Sequence, residues 1–127
     1  MKRLRHAVGW FEIPVVNMKR AKDFYESILE IHLQDLNLPD NPRMSVFPVE
    51  NGTVGGALCE KNEHIQPGQQ GPVVYLNANP NLQPVLQKIL HLGGKVILPK
   101  TKINDEYGYM AIFEDCEGNR VALHSMG

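Results

Sequence analysis

The chain has 127 residues, a formal net charge of −1 at pH 7, 43% hydrophobic residues and 21% charged residues. This balance is typical of one soluble globular domain, and because it leaves no excess of basic residues for a duplex-binding surface, we expect no nucleic acid partner. The basic start MKRLRH precedes an apolar run that Glu12 and Pro14 interrupt, so we expect neither a secretory signal nor a membrane span.

The chain contains two cysteines, Cys59 and Cys116. They are too few and too far apart in the sequence to indicate a disulfide framework or a zinc site. We therefore expect a reducing, cytoplasmic location.

The first half of the chain predicts a strand, a helix and three further strands. Residues 7–16 are rich in apolar side chains and predict the first strand. In the segment NMKRAKDFYESILE, Asn17 can cap a helix whose apolar residues form one stripe. Shorter strands are predicted at 31–36, 44–49 and 54–60, separated by the turn-rich NLPDNPR and ENG.

The same order of elements returns after the stretch HIQPGQQGP. The segment PVVYLNA predicts a strand, and NLQPVLQKILHLGG predicts a helix with Asn81 as its cap and Pro84 in its first turn. Gly93 and Gly94 are typical of a helix end. Three strands follow, KVILPK, YGYMAIFED and NRVALHS, the last two joined by the tight turn DCEG.

Two alignments of the halves support an internal repeat. An offset of 63 residues places Trp10 on Val73, and an offset of 65 residues places Ala57 on Ala122. The offsets nearly agree, and a duplicated unit of this length indicates a repeated fold.

We therefore predict an α+β fold with two tandem βαβββ modules in a single domain, residues 1–127. The first module spans about 1–62, the connector about 63–69 and the second module about 70–127. A ferredoxin-like sandwich with unrelated halves is the alternative that periodicity alone leaves open.

The segments FEIPVVNMKRAKDFYESIL and FEDCEGNRVALHS resemble the opening and closing motifs of the vicinal oxygen chelate superfamily. This superfamily includes glyoxalase I, extradiol dioxygenases and bleomycin-resistance proteins, and the resemblance covers nearly the whole chain. It implies that the two curved mixed sheets form a cup-shaped cavity that binds small molecules. It also implies that the modules pair within one chain or are exchanged between two chains, and we expect a homodimer.

In the metal-dependent members of that superfamily, four strands supply His, Gln or Glu ligands to a divalent cation. Carried over by position, these sites fall on Trp10, Ala57, Val73 and Ala122. None of these side chains can ligate such an ion, and a shift of one residue in either direction finds no better ligand. We therefore expect no metal and no other cofactor.

Polar side chains follow two residues beyond each of these positions. Because side chains alternate along a strand, Glu12, Cys59, Tyr75 and His124 are expected to point into the same cavity, with Asn77 one step further. The predicted ligand-binding residues are Trp10, Glu12, Ala57, Cys59, Val73, Tyr75, Asn77, Ala122 and His124.

Each of these residues also has a structural interpretation. His124 can be a histidine near the chain end with satisfied hydrogen bonds, and Cys59 can be a small buried apolar residue. Glu12, if buried, needs a cation, a water or a donor nearby. Trp10 and Tyr75 can stack a planar ligand or fill the space of the missing metal. A displaced metal site on the polar residues stays open as an alternative.

We predict that the protein binds a small organic molecule in the cup without a metal. One alternative is a metal-independent lyase, isomerase or hydrolase in which His124 and Glu12 act as the catalytic acid–base pair. A second alternative is a metal-dependent enzyme of the glyoxalase or dioxygenase type. Whether the chain is a catalyst or only a binder is left open.

Overall fold

The structure, a computed structural model, describes residues 1–36, 43–60 and 63–127. The predicted turn NLPDNPR, apart from its last residue, and residues 61 and 62 at the end of the predicted first module lie outside the described residues. In chain order the first half contains β1 (Trp10–Val15), α1 (Met18–Leu29), β2 (Gln34–Leu36), β3 (Arg43–Val46) and β4 (Gly55–Glu60). The second half contains β5 (Tyr75–Asn77), α2 (Gln83–His91), β6 (Lys95–Asn104), β7 (Gly108–Glu114) and β8 (Arg120–Ser125).

The strands form two four-stranded mixed sheets with the same topology. The N-terminal sheet has the order β1-β4-β3-β2, and the C-terminal sheet has the order β5-β8-β7-β6. In both sheets the first and last strands of the half pair in parallel, and the remaining pairs are antiparallel. The predicted α+β fold of two tandem βαβββ modules is confirmed.

The strand registers agree with the two offsets of the repeat. Glu12 pairs with Ala57 in the N-terminal sheet, and the positions that the offsets of 63 and 65 residues assign to them, Tyr75 and Ala122, pair in the C-terminal sheet. The sheets therefore repeat the strand order and also the residue-by-residue alignment of the parallel pair.

Helix α1 begins as the sequence predicts. The Asn17 side chain accepts a hydrogen bond from the Arg20 backbone N–H at 3.0 Å. The buried stripe of the helix consists of Met18, Ala21, Phe24, Tyr25 and Ile28.

The start of α2 follows the prediction with a shift of one residue. Leu82 directly precedes the helix with helical φ −73° and ψ −16°, and the Asn81 side chain accepts from the Gln83 N–H at 2.9 Å, as a capping residue does. The Ser125 hydroxyl of β8 accepts from the Leu82 N–H at 3.0 Å. A tertiary contact thus adds to the local cap. The helix end is as predicted, because Gly93 follows it with φ +81°.

Both modules supply carboxylates to the first turn of α1. Glu60 of β4 accepts from the Met18 N–H at 2.7 Å. Glu117, in the turn between β7 and β8, accepts from the Asn17 N–H at 3.2 Å and pairs with the Arg20 guanidinium. Negative charge at a helix N-terminus satisfies free N–H groups and the helix dipole, so this turn binds the two modules together.

The two modules share one hydrophobic core around the helices. Helix α1 packs against α2, and its Phe24 ring lies 6.2 Å from the Phe113 ring of β7. On the other side, the Tyr25 ring lies 6.0 Å from the Phe47 ring of the N-terminal module. Because both sheets turn their apolar faces to the same helices, their opposite faces point away from the shared core. Within the described residues, no helix combines the length and apolar character needed to cross a bilayer.

A buried hydrogen-bond network at Asp115 closes this core. The Tyr25 hydroxyl donates to the Asp115 carboxylate at 2.6 Å, and the Asn119 N–H donates to its other oxygen at 2.8 Å. Asn119 Nδ2 also donates to the Pro14 carbonyl of β1 at 2.7 Å. Burial, followed by the neighbouring Asp115 carboxylate, raises the pKa of Tyr25 well above its ordinary value.

The first prediction concerns this network. Tyr25→Phe should lower the free energy of unfolding by about 1–3 kcal/mol at neutral pH, because it leaves a buried acceptor short of a donor. The folded-state pKa of Tyr25 lies above the unfolded one, so its contribution is present below about pH 10 and is lost as the pH rises from there. The difference between wild type and variant should therefore shrink above about pH 10 in urea titrations.

The matched control is Tyr107→Phe, because Tyr107 is exposed. This control should unfold like the wild type across the same pH range. A constant difference between wild type and Tyr25→Phe at every pH would contradict the assignment of this titration to Tyr25.

Candidate functional site

Four of the predicted site residues lie on one face of the N-terminal sheet. Strand alternation places Trp10 and Glu12 of β1 together, and the pairing of Glu12 with Ala57 and of Pro14 with Cys59 puts β4 in the same register. This is the face opposite to the shared core, because Ile13 and Val15 of β1 are buried in that core. We call it the N-terminal half-site.

Trp10 and Glu12 contact each other at the rim of this half-site. The Trp10 indole N–H donates to Glu12 Oε2 at 3.2 Å, and 47% of the Trp10 surface is exposed. The sequence alone allows burial of Glu12 in an apolar strand. In the structure its side chain is exposed. The expected donor is nevertheless present in the indole.

The remaining predicted residues belong to the C-terminal sheet. Tyr75 pairs with Ala122, and Asn77 pairs with His124, so these four side chains share the face opposite to the core. Val73 precedes β5 and is half-buried. We call this face the C-terminal half-site.

His124 is held by the hairpin between β6 and β7. Its Nε2 atom lies 2.6 Å from the backbone carbonyl oxygen of Tyr107. A carbonyl oxygen only accepts, so Nε2 carries the proton of this hydrogen bond. In the neutral imidazole, Nδ1 is then the atom that can accept a proton or a hydrogen bond.

Two alanines form the floors of the half-sites. Ala57 lies between Glu12 and Val46 of the neighbouring strands, and Ala122 lies between Tyr75 and Ile112. Both alanines have no exposed surface. Cys59 is also buried, so a ligand would contact the larger side chains around these floors first.

The family's metal positions do not fit a metal ion in this chain. Three of them are the indole of Trp10 and the methyl groups of Ala57 and Ala122, and the fourth is the half-buried Val73. Among the described residues, no group of three or more His, Cys, Asp or Glu side chains is placed to hold a metal ion. No step of a reaction can therefore be assigned to a metal at these positions.

The predicted site residues can line one cavity only if the two half-sites face each other. One chain carries the N-terminal half-site on one sheet and the C-terminal half-site on the other, and both faces point away from the core that the sheets share. A single cavity requires that the two half-sites be brought face to face. Their joint action, including the acid–base pairing of Glu12 and His124, stays a prediction.

Sequence reasoning missed Arg120. It lies two residues before Ala122 on the same strand face and pairs across the sheet with Glu114. Its Nη2 atom donates to the Gly71 carbonyl, while the buried Nε has no hydrogen-bond partner among the described residues. The sequence contained the signal for this residue. Counting two residues forward from Ala122 identified His124, and counting two residues back along the same strand face identifies Arg120.

Comparisons with known proteins agree with this fold. A model of the Glyoxalase/Bleomycin resistance protein/Dioxygenase superfamily matches residues 5–123. The crystal structure of TnmS3, an antibiotic binding protein from Streptomyces sp. CB03234, is similar with a TM-score of 0.70 and 21% identity, covering 98% of each chain. A superfamily member from Sphaerobacter thermophilus is similar with a TM-score of 0.68 and 19% identity, covering 94% of this chain and 97% of that one.

A third solved structure has a similar fold at a lower sequence identity. The genomically encoded fosfomycin resistance protein FosX from Listeria monocytogenes is similar with a TM-score of 0.63 and 12% identity, covering 97% of this chain and 92% of that one. No curated protein sequence matches the chain. At these identities the solved structures show the fold alone.

The second prediction concerns metal content. Purified protein should hold no stoichiometric Ni, Zn, Fe or Mn, and a chelator should leave its melting temperature unchanged, because no metal-binding free energy contributes to folding. Elemental analysis by plasma mass spectrometry and a thermal melt with and without chelator measure this. One tightly bound ion per chain would contradict the prediction, and Glu12 and His124 would be the first ligands to mutate.

Proposed function

Because the chain belongs to the glyoxalase/bleomycin resistance protein/dioxygenase superfamily, the vicinal oxygen chelate superfamily of its two motifs, we propose that it binds a small organic molecule without a metal ion. The ligand contacts the N-terminal and C-terminal half-sites. The metal positions of the superfamily then serve as an apolar floor for the ligand.

One observation carries this proposal. Each half-site has a half-exposed aromatic side chain on the same sheet face as an alanine with no exposed surface. Tyr75 pairs directly with Ala122, and Trp10 pairs with Gly55, two residues before Ala57 on β4. The exposed fractions are 47% for Trp10 and 48% for Tyr75. Large aromatic rings beside small floor residues, with a few polar groups such as Glu12 nearby, are the usual composition of a small-molecule site.

We further propose that a homodimer assembles the cavity. The two half-sites point away from the core of one chain, so the N-terminal half-site of one chain faces the C-terminal half-site of its partner. Two-fold symmetry then forms two equal cavities per dimer. The exposed apolar side chains on these faces, Trp10, Leu36 and Tyr75, would be covered in such a dimer.

The comparisons support binding as the function. TnmS3 is described as an antibiotic binding protein, and its structure covers nearly the whole of this chain. The ligand of the present protein is proposed only as a small organic molecule, since identity at this level supports a shared scaffold and leaves the pocket residues free to differ.

A metal-independent lyase or isomerase is the second candidate, and one observation favours it. The Tyr107 carbonyl fixes the His124 ring so that Nδ1 is the free acceptor of the neutral imidazole. In the proposed dimer this histidine would act with Glu12 from the other chain as an acid–base pair. No comparable observation supports a metal-dependent enzyme of the glyoxalase or dioxygenase type, because the side chains at the ligand positions do not fit a metal.

The third prediction tests the binding site. A thermal-shift screen of small organic molecules should find ligands that raise the melting temperature of the wild type. His124→Ala should weaken such a ligand by about 1–3 kcal/mol if a buried polar partner is left unpaired. Ala57→Leu should abolish binding, because the larger side chain would rise from the floor into the ligand space.

Calorimetry should show both changes while circular dichroism shows intact folding. The control is His32→Ala, an exposed histidine outside the half-sites, which should bind like the wild type. If His124→Ala unfolds the protein and Ala57→Leu leaves binding intact, the histidine is structural and the ligand lies elsewhere.

The fourth prediction tests the dimer by complementation. His124→Ala and Ala57→Leu damage different half-sites, so a mixed dimer carries one doubly damaged cavity and one intact cavity. Unfolding and refolding the two variants together in equal amounts should restore about a quarter of the wild-type number of binding sites with wild-type affinity. Each variant treated alone should give no site of wild-type affinity, because His124→Ala weakens every cavity and Ala57→Leu blocks every cavity. No recovery in the mixture would contradict a cavity shared between chains.

A further inference from the structure

A groove separate from the alanine floors lies within a single chain. It runs between β1, the connector and the start of β8, and its volume is about 290 Å³. Its polar lining residues are Glu12 of β1, Gln66 of the connector, Gln70 directly after the connector and Arg120 of β8. We call this space the connector groove. Its volume lies at the lower end of the range for small-molecule pockets, roughly 300–1,000 Å³.

Hydrogen bonds hold the walls of the connector groove in place. The Arg120 N–H donates to the Gly68 carbonyl at 3.1 Å, and the Gly68 N–H donates to Asn119 Oδ1 at 3.0 Å. Asn119 in turn donates to the Pro14 carbonyl of β1 at 2.7 Å. The groove is therefore already formed in one chain and does not need a second copy.

Two opposite charges line the connector groove without neutralising each other. Neither Glu12 nor Arg120 takes part in an ion pair between described residues. Arg120 Nη2 donates to the Gly71 carbonyl, which fixes the guanidinium, and its buried Nε has no acceptor in the described part of the chain. The Glu12 carboxylate accepts one hydrogen bond, from the Trp10 indole at 3.2 Å. A carboxylate and a guanidinium each have further hydrogen-bonding capacity, so both charged groups can still bind a ligand.

We propose that the connector groove binds a small zwitterion, such as an amino acid or a short peptide. The ligand's carboxylate pairs with the Arg120 guanidinium, where a planar fork suits a carboxylate. Its ammonium group pairs with the Glu12 carboxylate. A simple anion or a simple cation would neutralise one of the two charges only, so a ligand that carries both is favoured.

The test uses glycine, glycylglycine and triglycine as probes, because each added residue separates the two charges by up to about 3.5 Å. At least one probe should cause saturable ¹⁵N amide shifts at residues of the connector groove in the wild-type protein. Its N-acetylated form lacks the cation and its C-terminal amide lacks the carboxylate, and each should bind at least about tenfold more weakly. No saturable shift at concentrations on the order of 10 mM, or equal binding of the capped forms, would overturn the proposal.

Charge-removing variants give the second arm of the test. Glu12→Gln and Arg120→Gln should each weaken the best probe by about tenfold or more. Glu50→Gln and Arg5→Gln remove exposed charges outside the groove and should change nothing. If Arg120→Gln does not fold, binding of the N-acetylated and C-terminally amidated probes to the wild-type protein still tests the proposal. Unchanged affinity in a folded Arg120→Gln protein would overturn the proposal.

The groove and the proposed cup share Glu12, and Arg120 lies on the same strand face as Ala122, so a further variant separates the two sites. His124→Ala, on the C-terminal half-site, should leave zwitterion binding unchanged. Saturable zwitterion binding that survives this change supports the connector groove even if no cup ligand is found. Loss of zwitterion binding in a folded His124→Ala protein would place the zwitterion in the cup and overturn the groove.

Discussion

The contact between Tyr25 and Asp115 governs the arrangement of the whole chain. It brings the turn between β7 and β8 onto helix α1, where the ring of the same Tyr25 packs against Phe47 of the N-terminal module. Once this turn is fixed, Phe113 lies against Phe24, and the C-terminal sheet must turn its apolar face to the helices. The polar and aromatic faces of both sheets are consequently left on the outside. The position of every candidate site residue follows from that one docking event.

The first turn of α1 strengthens the same constraint through charge. Glu60 comes from one module and Glu117 from the other, and both accept hydrogen bonds from backbone N–H groups at this turn. Separation of the modules would remove Glu117 from the Asn17 N–H and from Arg20, whereas Glu60 belongs to the same module as α1 and would stay in place. The two halves are therefore joined through Glu117 in addition to their shared core, and this contact holds the two site faces relative to each other.

The sequence predicted features that depend on near neighbours, and it failed where distant contacts decide. Alternation placed Trp10 with Glu12 on one face, and the repeat offsets matched the observed registers. The second acceptor at the start of α2, the Ser125 hydroxyl, was not predicted, because Ser125 is distant in sequence. Arg120 was missed because the step of two residues was counted from Ala122 in one direction only, and its place beside Glu12, the connector and β1 depends on tertiary contacts. The opposite orientation of the two half-sites depends on module docking, which no local pattern encodes.

The repeated register has a consequence for the symmetry of what the two sheets can recognise. A pair of walls built from two copies of one module would show each side chain twice and would suit a molecule with its own two-fold axis. In this chain the equivalent positions differ, since an acid at Glu12 corresponds to a phenol at Tyr75, and a ring at Pro14 corresponds to an amide at Asn77. The backbone scaffold is nearly symmetric while its chemistry is not. Such walls distinguish the two ends of a ligand and so impose a single orientation on it.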